Sequence, residues 1–205
     1  MSEFDIKASG WDKSMMHRER ADAVADAIRM QIPLSREMKA MEFGAGTGLL
    51  SFNLRNQLGQ ITMVDSSGGM VEVLLEKAGQ ADASNMTVMK ADLEKEDYTG
   101  EKFGLIYTLM VLHHVNDVNK IVGKFSEMLL PGGYLAIADL YSEDGSFHGE
   151  GFKGHMGFDP DKLASLLELN GFTGITHRKV YEIEKMTTEN GVKKFDVFLM
   201  TGVRK

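Results

Sequence analysis

Three glycines on alternate positions, Gly44, Gly46 and Gly48, follow an apolar run from Ala40 to Phe43 that carries one acid, Glu42. Main chain without Cβ atoms, placed where a strand gives way to a helix, lets the backbone close in on a small ligand. In an open α/β sheet that ligand is nucleotide-like. Spacing narrows the choice. A dinucleotide fingerprint, G-x-G-x-x-G, needs its third glycine where this chain has Leu49; here it comes one residue early, at Gly48. No Gly-Lys-Ser/Thr follows, which excludes a Walker-type phosphate loop. Two acids stand after later apolar runs: Asp65, about 20 residues beyond the glycine loop, and Asp92. Histidines supply the other chemistry. His113 and His114 follow an apolar run that ends at Leu109, and His148 and His155 lie in a stretch rich in glycine and phenylalanine. An imidazole, with an ordinary pKa of about 6.5, is well suited to take a proton from a hydroxyl or an amine.

The elements that must position these residues alternate. Ala21, Val24, Ala25, Ile28 and Ile32 repeat at helical spacing and stop at Pro33, which predicts an amphipathic helix over 12–31. Strands are expected at 40–43, 61–64, 85–89, 103–109 and 134–140. Helices are expected after Gly48, after Gly69 and from Asp117 to Leu130, the last stopped by Pro131-Gly132-Gly133. Pro160 opens another helix, closed by Asn170-Gly171. Two final strands, 176–183 and 195–203, are too close for a crossover helix and should form an antiparallel hairpin at the sheet edge. Strand and helix in alternation argue for a mostly parallel sheet with helices on both faces.

With the motif Glu42-Phe43-Gly44-Ala45-Gly46-Thr47-Gly48, the chain resembles the class I S-adenosylmethionine-dependent methyltransferases, whose first motif is an acid, an apolar residue and G-x-G-x-G. The resemblance runs from the first strand to the last. It implies a Rossmann-like three-layer αβα sandwich, with a mostly parallel seven-stranded sheet of order 3-2-1-4-5-7-6 and an antiparallel C-terminal strand. It also implies S-adenosyl-L-methionine as cofactor and S-adenosyl-L-homocysteine as product.

Under that resemblance Asp65, with Ser66 beside it, holds the ribose hydroxyls, Asp92 takes the adenine amino group and Leu93 lies against the ring. Glu42 fixes the methionyl end or the loop itself, Gly44, Ala45, Gly46 and Gly48 approach that end, Met70 packs near the adenosine and Leu109 borders the methyl group. Simpler readings stand beside these: a helix cap for Asp65, a solvated loop acid for Asp92, core packing for Met70. His113, His114, His148 and His155 are the catalytic candidates, with structural packing as the alternative. Residues 1–35 form an N-terminal helical cap in which Trp11 either stacks at the site or anchors the helix, and Arg18 is a candidate for the cofactor carboxylate. Residues 141–160 form the acceptor loop, with Phe147, His148, Phe152, His155, Met156 and Phe158 lining or covering the pocket. No H-x₃₋₅-H spacing supports a metal, and none is expected.

Bulk properties agree with one domain spanning 1–205. The 205 residues are 43% hydrophobic and 26% charged, with a net charge of −7 and no cysteine. Scattered Lys and Arg leave no basic face for nucleic acid. No apolar run approaches the roughly 18 residues of a membrane span, and 1–10 lacks the apolar core of a signal peptide. The expectation is a cytoplasmic monomer or homodimer acting on a small-molecule acceptor. Two rivals are a nicotinamide-dependent oxidoreductase, disfavoured by Leu49, and a non-catalytic module that only binds S-adenosylmethionine.

Overall fold

In the computed structural model, which describes residues 2–187 and 191–205, seven strands form one sheet of order β3-β2-β1-β4-β5-β7-β6. The strands are β1 (Lys39–Phe43), β2 (Gln60–Asp65), β3 (Met86–Lys90), β4 (Phe103–Leu109), β5 (Leu129–Leu140), β6 (Phe172–Thr187) and β7 (Gly191–Arg204). Only β7 runs against the rest, pairing antiparallel with β5 on one side and β6 on the other. The expected hairpin is there and is longer than its apolar runs; its tip, residues 188–190, lies outside the described residues.

Six helices cover the sheet: α1 (Glu3–Lys7), α2 (Met15–Gln31), α3 (Leu49–Leu54), α4 (Gly68–Gln80), α5 (Val118–Met128) and α6 (Pro160–Leu169). Successive side chains on a strand point to opposite faces, and here both faces are buried. Met41 and Ile106 pack with Val122, Phe125 and Leu167, while Ala40 and Leu105 pack with Val24, Ile28 and Leu54. Three layers follow from that pattern. Among the described residues no helix is long and apolar enough to cross a membrane.

Caps place the helix starts. Ser14, Ser67, Asp117 and Asp159 each accept a main-chain N–H from the first turn of α2, α4, α5 and α6, as short polar side chains do at an N-cap. Asp65 is therefore not the cap of α4; Ser67 is.

Three boundaries differ from expectation. Pro131, Gly132 and Gly133 do not separate a helix from a strand: α5 ends at Met128, and β5 already pairs at Leu129, with a register shift between Phe103 and Leu105 absorbing the irregular residues. The predicted start at Asp12 belongs to a 3₁₀ turn over Ala8–Lys13, after which Ser14 starts α2. A short helix, α1, precedes it, closed by a reciprocal capping pair between Ser2 and Asp5.

Strand order reverses between β1 and β4, whose neighbours lie on opposite sides. Ligands in open α/β sheets bind at such a point, beyond the strands' carboxyl ends.

Candidate active site

At that point lies a cavity of about 1030 Å³, the upper end of the size range for small-molecule sites. Its floor is the glycine loop from Gly44 to Thr47, while Gly48, expected to approach the ligand, faces Leu74 and Phe52 and does not line the cavity. Gly44, Gly46 and Gly48 have φ of +68°, +55° and +79°, a left-handed conformation that costs an L side chain roughly 1–2 kcal/mol. Space constrains two of them as well. A Cβ on Gly44 would stand 2.4 Å from the Val111 side chain, and one on Gly48 2.5 Å from that of Leu74. At Gly46 the nearest such neighbour is the Met70 sulfur at 3.9 Å, so the loop leaves room above it for a ligand.

Asp65 closes the loop from β2. Its Oδ2 accepts the Gly46 N–H at 2.7 Å and its Oδ1 that of Ser67 at 2.8 Å. Burial raises its pKa, and these main-chain donors oppose the rise. An ionised carboxylate has about four acceptor positions, so the two spent on the loop leave capacity for a pair of ligand hydroxyls. That arrangement fits a ribose.

Glu42 is buried at the end of β1 and accepts both the main-chain N–H and the hydroxyl of Ser51 in α3; the Ser51 hydroxyl also meets the Tyr107 hydroxyl at 2.6 Å. Desolvation pushes Glu42 up to about 8. It braces β1, α3 and β4 against one another while lining the cavity.

Asp92, after β3, also lines the cavity, together with the buried Leu93. Its carboxylate accepts the Glu94 N–H at 3.1 Å and pairs with Lys95 at 2.7 Å, and the Lys95 hydrogen bond holds its pKa below the usual range. Ser66, Met70, Ala45 and Leu109 are lining residues too.

Three of the four candidate histidines converge at this cavity. His113 is buried in the turn after β4, where Asp139 of β5 accepts its ring Nδ1 at 2.6 Å and its main-chain N–H at 3.2 Å. The His114 ring lies 4.2 Å from it, and His148 from the 141–160 loop lies 5.0 Å from His113 and 5.2 Å from His114, centroid to centroid. Desolvation pushes both His114 and His148 down to about 4, so at neutral pH both are uncharged. His155 is elsewhere: its ring Nε2 bonds the Val115 carbonyl at 3.0 Å and its main-chain N–H the His113 carbonyl at 2.8 Å. It clasps the loop and does not line the cavity.

The loop folds back on itself through a bridge between Tyr141 and Phe158. Phe147, His148 and Phe152 line the cavity, the His148 and Phe152 rings stacked at 3.8 Å. Met156 is exposed, and Phe158 packs against the sheet core instead.

An N-terminal strap covers the opposite wall. Asp5 accepts the Ser67 hydroxyl at 2.6 Å and the Gly69 N–H at 3.0 Å, and Lys77 bonds both Asp12 and the Thr47 carbonyl at 2.6 Å. Trp11 both lines the cavity and stacks on His17 at 4.1 Å.

Sequence reasoning passed over Arg20. Arg18 is exposed, whereas Arg20 is buried at the cavity wall with its Nε unpaired. Burial lowers it to about 10, with Asp139 opposing the fall. A signal existed: Arg20, Val24 and Ile28 fall at i, i+4 and i+8 on the inward stripe.

Comparison with known proteins agrees with this geometry. The methyltransferase domain family matches residues 41–137, the segment holding the glycine loop, Asp65, Asp92 and the histidine pair. An uncharacterized methyltransferase of Schizosaccharomyces pombe is 29% identical over 147 residues, covering 64% of this chain; the chain spans about half (52%) of that relative's length. Two solved structures, below 25% identity, speak to the fold. The methyltransferase bound to the Trm112 methyltransferase activator of Haloferax volcanii aligns at TM-score 0.78 and 17% identity, over 99% of this chain and 98% of that one. Phosphoethanolamine N-methyltransferase 2 of Haemonchus contortus, crystallised with S-adenosyl-L-methionine, aligns at TM-score 0.72 and 14% identity, over 100% of this chain and 60% of that one. The acid-led glycine loop, the sheet order and the acid at the end of β2 agree with the methyltransferase domain matched over residues 41–137, and the chain has the fold of the class I S-adenosylmethionine-dependent methyltransferases.

Proposed function

We propose that the chain moves the methyl group of S-adenosylmethionine onto a small-molecule acceptor seated against His113, His114 and His148. A single observation carries this reading: one cavity is lined both by the glycine loop with Asp65 and by the three imidazoles. The bound cofactor supplies a sulfonium-activated methyl group that is displaced in line.

The chain supplies placement. Asp65 holds the ribose hydroxyls with the acceptor capacity the loop leaves free, and Asp92 with Leu93 bounds the adenine side. Arg20 presents a buried guanidinium whose Nε lacks a partner, a cost of the order of 1–3 kcal/mol that an anionic group relieves. The carboxylate of the methionyl end is such a group. At the other end Phe147 and Phe152 exclude water from the acceptor, and His113, held by Asp139, offers its second ring nitrogen to the cavity. Alignment and desolvation do much of the work in a methyl displacement.

Calorimetric titration with S-adenosylmethionine and S-adenosylhomocysteine, followed by labelled-methyl transfer to oxygen, nitrogen and carbon nucleophiles in metabolite pools, tests the proposal. Binding with transfer supports it; no binding of either compound defeats it. Tight binding with no transfer to any pool would favour the purely binding module.

A further inference from the structure

His113, His114 and His148 each offer a ring nitrogen, and the three nitrogens lie within 4.8 Å of one another. The Asp139 carboxylate sits 2.6 Å from His113 Nδ1, which leaves Nε2 as the ring nitrogen free to ligate. A carboxylate behind an imidazole in this way is the usual outer-shell support of a ligating histidine. His148 Nε2 is buried and has no hydrogen-bond partner, an arrangement native structures rarely keep without a reason.

Aromatic side chains shield the cluster. Phe152 stacks on His148, Phe4 meets His114 edge-on at 5.2 Å, and Phe147 meets His148 edge-on at 4.8 Å. Converging lone pairs inside an aromatic collar call for an electron-pair acceptor. We propose that His113, His114 and His148 form a three-histidine site for one divalent transition-metal ion of the zinc class, with a remaining coordination position open to the cavity.

Geometry and ligand chemistry bear on the choice of ion. Zinc–nitrogen bonds of 2.0–2.1 Å in a tetrahedron put ligand nitrogens roughly 3.3 Å apart, so the set must close by somewhat more than an ångström. That closure falls on His148, which sits in the 141–160 loop while His113 and His114 are fixed beside β4. Imidazole ligands favour zinc, cobalt, nickel or copper over magnesium or calcium, which take oxygen ligands. The open position suits an acceptor that coordinates through a hydroxyl or thiol. Its proton leaves to solvent, its retained electron pair forms the bond to the methyl carbon, and the carbon–sulfur bond of the sulfonium breaks with its pair kept on sulfur. This last role rests on the methyl-transfer reading; the metal site does not.

The test therefore uses metal alone. Protein purified without a polyhistidine tag and stripped with a chelator is titrated with Zn²⁺ by calorimetry and with Co²⁺ by visible absorption, with no S-adenosylmethionine present. One equivalent should bind, giving the d–d bands of a low-coordinate Co(II) ion that shift when acetohydroxamate is added. His148→Ala and His114→Ala, confirmed folded by circular dichroism, should each bind at least tenfold more weakly, and His177→Ala, altered on an exposed strand face, should bind as the wild type does. Absence of stoichiometric binding, equal binding by the folded His148→Ala variant, or an equal loss in His177→Ala overturns the site, and a cobalt spectrum indifferent to acetohydroxamate overturns its open position. A separate S-adenosylmethionine titration of the same stripped protein tests the methyl-transfer reading independently.

Discussion

Asp139 grips His113 at two points, one carboxylate oxygen on the ring Nδ1 at 2.6 Å and the other on the main-chain N–H at 3.2 Å, with both side chains almost wholly buried. The turn after β4 is thereby tied to β5, and the imidazole is fixed in rotation and in tautomer. Replacing Asp139 with Ala removes the side-chain acceptor of three buried donors, the His113 ring and main-chain N–H and the Leu140 main-chain N–H, which costs on the order of 1–3 kcal/mol for each lost partner. Urea unfolding of Asp139→Ala should show a midpoint well below wild type, and Asp139→Asn, which keeps an acceptor oxygen, should fall between them. Equal midpoints for Ala and wild type would mean that the grip contributes nothing to stability.

Under the proposed ribose role, Asp65 bears on the cofactor more than on the fold. Asp65→Ala frees the Gly46 and Ser67 N–H groups and removes the acceptor for the ribose hydroxyls, so S-adenosylmethionine should bind about tenfold to a hundredfold more weakly, as expected for charge-assisted hydrogen bonds. Calorimetry reads this directly. An unchanged dissociation constant would remove Asp65 from the binding site.

Glu42 sets a pH dependence of definite sign. Its pKa is about 8 in the folded chain against 4.5 for an unperturbed glutamate, so between those values the folded state holds a proton that the unfolded state has lost. Stability then falls as pH rises through that window and levels off above about 8. Glu42→Gln, neutral throughout, should flatten the profile. Denaturation midpoints collected from pH 5 to 9 would show it, and a wild-type profile already flat across that range would contradict the assignment.

The glycine loop permits a two-step test. Gly44→Ala places a Cβ against Val111 at 2.4 Å and imposes a left-handed φ on alanine, together about 2 kcal/mol or more. Adding Val111→Ala removes the two closest contacts, leaving the Cβ of residue 111 at 3.0 Å, and does not touch the backbone strain. Thermal melting should therefore show partial recovery in the double variant; full recovery would mean that the steric contact alone keeps this position a glycine.

Sequence alone disclosed what is local. The glycine spacing, the acid about 20 residues later and the alternation of helix and strand are short-range patterns, and the loop, the place of Asp65 and the succession of elements agree with them, while the sheet order followed from the family resemblance alone. Convergence of distant residues was not legible in that way. His113 and Asp139 are 26 positions apart, and they meet only because β4 and β5 are neighbours in the sheet. His148 and His155 look alike in the sequence, yet one faces the cavity and the other binds main-chain groups because the loop turns back between them. Arg20 escaped notice because an inward stripe is searched for apolar residues, whereas Pro131-Gly132-Gly133 signalled a break that the pairing of β5 with β4 absorbs as an irregularity.

The strap formed by α1 and the following 3₁₀ turn carries a kinetic consequence. Its fastenings are Asp5 on Ser67 and Gly69 at the start of α4, and Asp12 on Thr47 of the glycine loop and on Lys77 in the last turn of α4, and Phe4 reaches across to His114. If a molecule bound beneath the strap leaves on that side, those polar contacts must let go first, and the next one arrives by the same opening. A cover that opened and shut in this way would slow arrival and departure together, so its fastenings would set residence time while leaving the equilibrium constant largely to the residues beneath them.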